Sequence, residues 1–238
     1  MNTNDDNANG VRSENKAVFD DSAENNAKKE ATSQNIDISP EKLAEEINKS
    51  PKIQEGFRQY DADDLRRYEE MSWREAVEEV KQNIINLKNG IRDPFNNLVR
   101  FVYDSKNKES IDRLADHLYK GSSKGTQHPS KKRAFVTQLV KDTISNPDVV
   151  LRQVDGRLKY IGFYRGEKSN LLHKVVIEVK KNGSGEIVTS FIDDSNARRG
   201  GFAMNAKKML SGKIAIDKVE YINSNIRDEL KARQSERP

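Results

Sequence analysis

The chain has 238 residues and no cysteine, and its apolar and charged side chains each make up 34%. That balance is too polar for one uniformly packed core, and the lack of thiols excludes a disulfide framework, a cysteine nucleophile and a Cys-type zinc site. The net charge of +4 conceals a gradient: residues 1–40 hold 4 basic and 8 acidic side chains, residues 41–120 hold 15 and 17, and residues 121–238 hold 23 and 13. No apolar run approaches the roughly 18 residues of a membrane span, and the first thirty residues lack the apolar core of a secretion signal. The reading is of a soluble protein without a membrane span.

Residues 1–38 are rich in Asn, Asp, Ala and Lys, with Phe19 the sole aromatic. Such a segment buries too little apolar surface to offset its ordering entropy, so disorder is expected. Ser39-Pro40-Glu41 then marks a helix start: a cap, a proline at the first position and an acid near the positive end of the dipole. Helical patterning runs through Leu43, Ile47, Ile53 and Phe57, and a charged helical piece follows from Asp63 to Glu70. Ser72 and Glu75 form a capping box for a helix with Val77, Val80, Ile84 and Leu87 on one stripe, ending near Gly90. Asp93-Pro94 is read as a further helix start, with Phe95, Leu98, Val99 and Val102, and Ser110 to Lys120 as another helix. Residues 39–120 are thus expected to be mostly helical, as an adaptor, a delivery region or a packing partner.

Gly121 to Gly125 reads as a flexible junction and the boundary of a second domain, residues 121–238. Phe135, Val136, Leu139, Val140, Thr143 and Ile144 fall on one helical face, and Asn146-Pro147-Asp148 stops that helix. The period then changes from 3.6 to 2. Four strands are expected, over Val149–Val154, Leu158–Arg165, Leu171–Lys181 and Glu186–Ile192, joined by turns at Asp155-Gly156, at Arg165-Gly166 and at Asn182–Gly185. A short helix through Ala206, Met209 and Leu210, a strand from Lys213 to Tyr221 and a fraying tail from Arg227 complete the chain. The fold class is α+β: a disordered N-terminus, a helical middle, and a C-terminal helix packed on a small antiparallel sheet.

The order Gln127-His128-Pro129, basic helix, Asn146-Pro147-Asp148, Lys159-Tyr160, Val175-Val176-Ile177-Glu178-Val179 and Ile187-Val188-Thr189-Ser190-Phe191 resembles the phage-type nuclease family grouped with barnase, EndoU, colicin and RelE ribonucleases. The resemblance covers roughly residues 110–200. It implies a small metal-independent ribonuclease on a helix-plus-antiparallel-sheet scaffold, with no cofactor. Ala23-Glu24-Asn25-Asn26 is also similar to the Val-Glu-Asn-Asn boundary that precedes toxin regions of contact-dependent inhibition proteins, which implies an effector delivered from another cell or a phage particle and acting in a cytoplasm, with an immunity protein as a possible partner.

A metal-free ribonuclease needs a base for the 2′-hydroxyl, an acid for the leaving 5′-oxygen, and cations for the charge that develops on phosphorus. His128 lies in a basic loop directly before a helix and is the first acid–base candidate. His173 is the second, although its parity with Leu171, Val175 and Ile177 equally fits a half-buried sheet residue. His117 sits on a charged helix and reads as a surface or packing residue. Lys159 and Arg198 are expected to stabilise phosphate charge, with Thr189 as a further contact. Lys131, Lys132, Arg133 and Arg199 are expected to hold the RNA backbone and Tyr160 to stack on a base, although strand parity lets at most one of Lys159 and Tyr160 face RNA. The competing reading is a non-catalytic RNA- or protein-binding accessory domain of a phage structural or ejected protein.

Overall fold

In a computed structural model, residues 37–104, 106–120, 131–166, 169–196 and 205–236 are described. The chain is α+β. Helices α1 (Pro40–Lys49), α2 (Pro51–Glu55), α3 (Ala62–Glu70), α4 (Trp73–Asn86) and α5 (Lys108–Lys120) precede α6 (Lys131–Thr137), α7 (Val140–Ser145) and α8 (Ser224–Ser235). Strands β1 (Arg58–Gln59), β2 (Ile91–Arg92) and β3 (Leu98–Arg100) join β4 (Val149–Gln153), β5 (Leu158–Arg165), β6 (Ser169–Val179), β7 (Ser184–Asn196) and β8 (Ile216–Ile222) in one sheet. Its order is β2-β3-β7-β6-β5-β4-β8, with β1 added to β5.

The antiparallel run β4-β5-β6-β7 follows the expected meander, with β5 spanning the expected residues. The sheet as a whole is mixed, because β3 pairs with β7 and β1 with β5 in parallel. Those parallel partners come from residues 58–100, so the middle of the chain is not wholly helical. Asp93-Pro94 opens a turn in place of the expected helix. The Asp93 carboxylate accepts the Asn97 backbone N–H at 2.7 Å and the Asn97 side-chain amide at 2.8 Å, while Asn96 takes φ 67°. That turn delivers Leu98–Arg100 to the edge of β7.

Alternation along β5 explains why the strand is buried on both sides. Tyr160 and Tyr164 enter one apolar core with Val80 and Ile84 of α4, Leu118 of α5, Phe135 of α6 and Ile144 of α7. Ile161 and Phe163 enter the other, with Leu43 and Ile47 of α1, Ile53 of α2, Met209, and Ile226 and Leu230 of α8. Phe57 stacks on Phe163 with ring centroids 4.6 Å apart. Helices therefore cover both faces of the sheet, where one helix on one face was expected.

Two further elements depart from expectation. The helix expected through Ile144 breaks at Gln138-Leu139 into α6 and α7, with Gln138 and Leu139 donating back to Phe135 and Val136. The charged tail from Arg227 belongs to α8. Its cap is Asn223, its Ile226 and Leu230 are buried, and Glu229 pairs with Lys52 and Arg233 with Glu46. The segment Ala206–Leu210 is a 3₁₀ helix. Among the described residues, no helix is long and apolar enough to cross a membrane. Of residues 1–38, expected to be disordered, 1–36 lie outside the described residues, while Ile38 packs against the core that holds Leu43.

Candidate functional site

One edge of β5 serves two strands. β4 pairs with it up to Ile161, and β1 resumes the pairing at Tyr164. The gap is bridged by Asp148: its backbone N–H bonds the Ile161 carbonyl, and its carboxylate accepts the Phe163 N–H at 2.6 Å and an Arg58 guanidinium N–H at 3.0 Å. Asn223 donates to the other carboxylate oxygen at 2.6 Å. A buried carboxylate thus satisfies the one ladder N–H that neither strand reaches.

From Arg58 a chain of polar side chains runs into the core. Arg58 donates to Asp142 at 2.6 Å, and the Tyr164 hydroxyl donates to the same Asp142 oxygen at 2.8 Å. Thr143 Oγ1 lies 2.8 Å from the Tyr164 oxygen and 2.8 Å from His173 Nδ1, and His173 Nε2 lies 2.7 Å from Ser190 Oγ. The carboxylate sets the direction of the whole chain. The Tyr164 proton goes to Asp142, so Thr143 donates to Tyr164, His173 Nδ1 donates to Thr143, and Ser190 donates to Nε2. His173 is thereby a neutral imidazole with both nitrogens engaged. Burial, reinforced by the Arg58 charge, pulls its pKa from 6.5 down to about 3. The inner end of the chain is fully enclosed, while the Asp142 side chain at the outer end is 41% exposed.

The opposite face of the sheet holds a lysine pair. Lys159 Nζ donates to the Ser211 carbonyl at 3.0 Å, and burial followed by the Lys174 charge lowers its pKa from 10.5 to about 8. Lys174 Nζ donates to the Asp193 carboxylate, to the Lys208 carbonyl at 3.1 Å and to Ser211 Oγ at 3.0 Å, and lies 4.5 Å from the Phe191 ring centroid. Both ammonium groups gather the carbonyls that end the 3₁₀ helix, where cations are favoured. Lys159 and His173 are therefore buried and separated by the sheet.

Tyr160 is also buried, and its hydroxyl donates to Asp93. Thr189 is half-buried opposite Val176, on the Lys174 face. Lys131, Lys132 and Arg133 form the half-exposed first turn of α6, where Lys131 Nζ donates to the Glu69 carbonyl at the negative end of α3. His128, Arg198 and Arg199 lie outside the described residues. Sequence reasoning overlooked Arg58, Asp142, Asp148, Thr143 and Tyr164 as a group. The signal for Asp142, Thr143 and Asp148 was the density of hydroxyl, acidic and amide residues around Asn146-Pro147-Asp148, which reads locally as a turn, and nothing local ties Arg58 or Tyr164 to it.

Beyond the carboxyl ends of the parallel strands β1 and β5 lies a cleft of about 540 Å³, lined among others by Tyr60, Asp61, Asp63, Arg165 and Asn170. Among the described residues, no group of three or more His, Asp or Glu side chains gathers to hold a metal ion. No family model matches the chain, and neither a characterised protein nor a solved structure matches it.

Proposed function

We propose that the protein acts on RNA as a metal-independent endoribonuclease-like effector of barnase and RelE kinship. In this reading His128 exchanges protons with the 2′-hydroxyl or the leaving oxygen. Lys131, Lys132, Arg133, Arg198 and Arg199 hold the phosphates. The observation that carries it is the excess of positive charge in residues 121–238, which includes three consecutive cations on the first turn of α6. A polyanion relieves the mutual repulsion of such a run. His173 and Lys159 take supporting roles here, since each is enclosed in its own core.

The test is total RNA incubated with the full chain, wild type and His128→Ala, with and without EDTA. Cleavage by the wild type that survives EDTA and falls ~10²–10⁴-fold in the variant is the expected result. Equal cleavage by both proteins overturns the role of His128, and EDTA-sensitive cleavage overturns the metal-free mechanism. The burial of His173 and Lys159 favours a second reading, a non-catalytic accessory domain that binds RNA or protein. It predicts intact RNA and salt-dependent binding that His128→Ala leaves unchanged.

A further inference from the structure

We propose that the cleft beyond β1 and β5 is a subsite for one ribonucleotide unit of an RNA strand. The proposal rests on the RNA reading above and adds to it a place and a recognition chemistry.

The cleft is built at the point where β1 hands over to loop, closed by the bond from the Tyr60 N–H to the Arg165 carbonyl at 3.1 Å. Its volume of about 540 Å³ falls in the range of small-ligand sites. The lining carries both signs of charge. Arg165 is half-exposed and gives one N–H to the Glu55 carbonyl at 3.4 Å, leaving further donors of its planar fork for a phosphate. Asp61 is exposed and caps α3 with one oxygen, which accepts the Asp63 N–H at 2.8 Å, so its second oxygen can accept from sugar hydroxyls. Asn170, a residue 4% exposed, also lines the cleft.

Charge decides the ligand class. Asp63 is paired with Arg66 at 2.8 Å, so it is Asp61 that repels a purely anionic ligand, such as a polyphosphate, and Arg165 that repels a purely cationic one. A phosphate joined to a hydroxyl-bearing sugar satisfies both. Tyr60 forms a further part of the wall, its ring set edge-on to Phe135 at 5.6 Å between centroids and laid against Gly166. A Cβ at position 166 would meet Tyr60 ring atoms at 2.2 Å, so the wall keeps its place only with glycine there.

The experiment titrates the full chain with adenosine 5′-monophosphate, its 2′-deoxy counterpart and glycine by NMR, and measures binding of a long RNA by anisotropy on the same samples. The ribonucleotide is expected to bind more tightly than the deoxynucleotide, and Arg165→Ala to weaken it about tenfold or more. Asp61→Asn keeps the helix cap, because asparagine caps as well as aspartate, and is expected to erase the preference for the ribose. Gly166→Ala is expected to weaken both nucleotides by displacing Tyr60. RNA binding with no mononucleotide binding, nucleotide affinity unchanged in Arg165→Ala, or tighter binding of glycine overturns the subsite and leaves the RNA reading standing. Absence of binding to long RNA removes that reading itself.

Discussion

His173 shows how a residue type suited to acid–base work can be diverted by its surroundings. A neutral imidazole held between Thr143 and Ser190 can take a proton only at Nε2, where the Ser190 hydroxyl must turn from donor to acceptor and a full charge is left buried in the core. Its pKa of about 3 in the fold against 6.5 outside it means that the unfolded chain binds a proton that the native chain refuses. Stability is therefore full above the unfolded value and falls as pH drops from there toward the folded one, with a limit of ~1.4 kcal/mol per pH unit. Urea midpoints near neutrality and near pH ~5 measure this, and His173→Gln is expected to flatten the difference. A variant with the wild-type slope would assign the pH dependence to other groups. Tyr160 invites a similar test. Tyr160→Phe removes one donor from the buried Asp93, which keeps its bonds from Asn97 and from the Phe95 backbone, and is expected to cost ~1–3 kcal/mol in stability. RNA affinity is expected to stay at the wild-type level, whereas a stacking role for Tyr160 requires it to fall.

At the scale of elements, α8 depends on a single residue that also serves the sheet. Asn223 accepts the Ile226 N–H at 2.9 Å as a cap and donates to Asp148 at 2.6 Å. Asn223→Ala removes both bonds, with an expected loss of ~2–3 kcal/mol and faster amide exchange along α8. Unchanged exchange would mean that packing of Ile226 and Leu230 alone holds the helix. Local signals of this kind were legible where they needed no distant partner. The Ser39-Pro40 start and the Ser72–Glu75 capping box are both present, and the four meander strands lie within a few residues of their alternating patterns. What escaped were elements made by tertiary partners. Leu98–Arg100 is a strand because β7 lies beside it, β1 is two residues long, and α8 shows few apolar residues because ion pairs with Lys52 and Glu46 share the work. The parity that sets His173 on one sheet face with Leu171, Val175 and Ile177 was legible. The burial of Lys159 was not, since nothing local announces a helical layer on both faces.

For the molecule as a whole, the two halves of the chain share one sheet. Residues 121–238 alone lack β1 to β3, and Asp148 loses Arg58, which leaves a buried carboxylate short of its cation. Expressed without the preceding residues, that half is expected to show no cooperative thermal transition and poor NMR dispersion. A sharp transition would show instead that the later half folds by itself. The parallel pairing of β3 with β7 has a further consequence for a chain emerging from the ribosome. Advancing the 86 positions from Leu98 to its partner Ser184 takes roughly 4–17 s at bacterial and eukaryotic rates. Until β5 has been made, the apolar faces of α1 and α4 lack the strand whose Ile161 and Phe163 on one side, and Tyr160 and Tyr164 on the other, cover them. Early translation is thus when the nascent chain has most need of a chaperone.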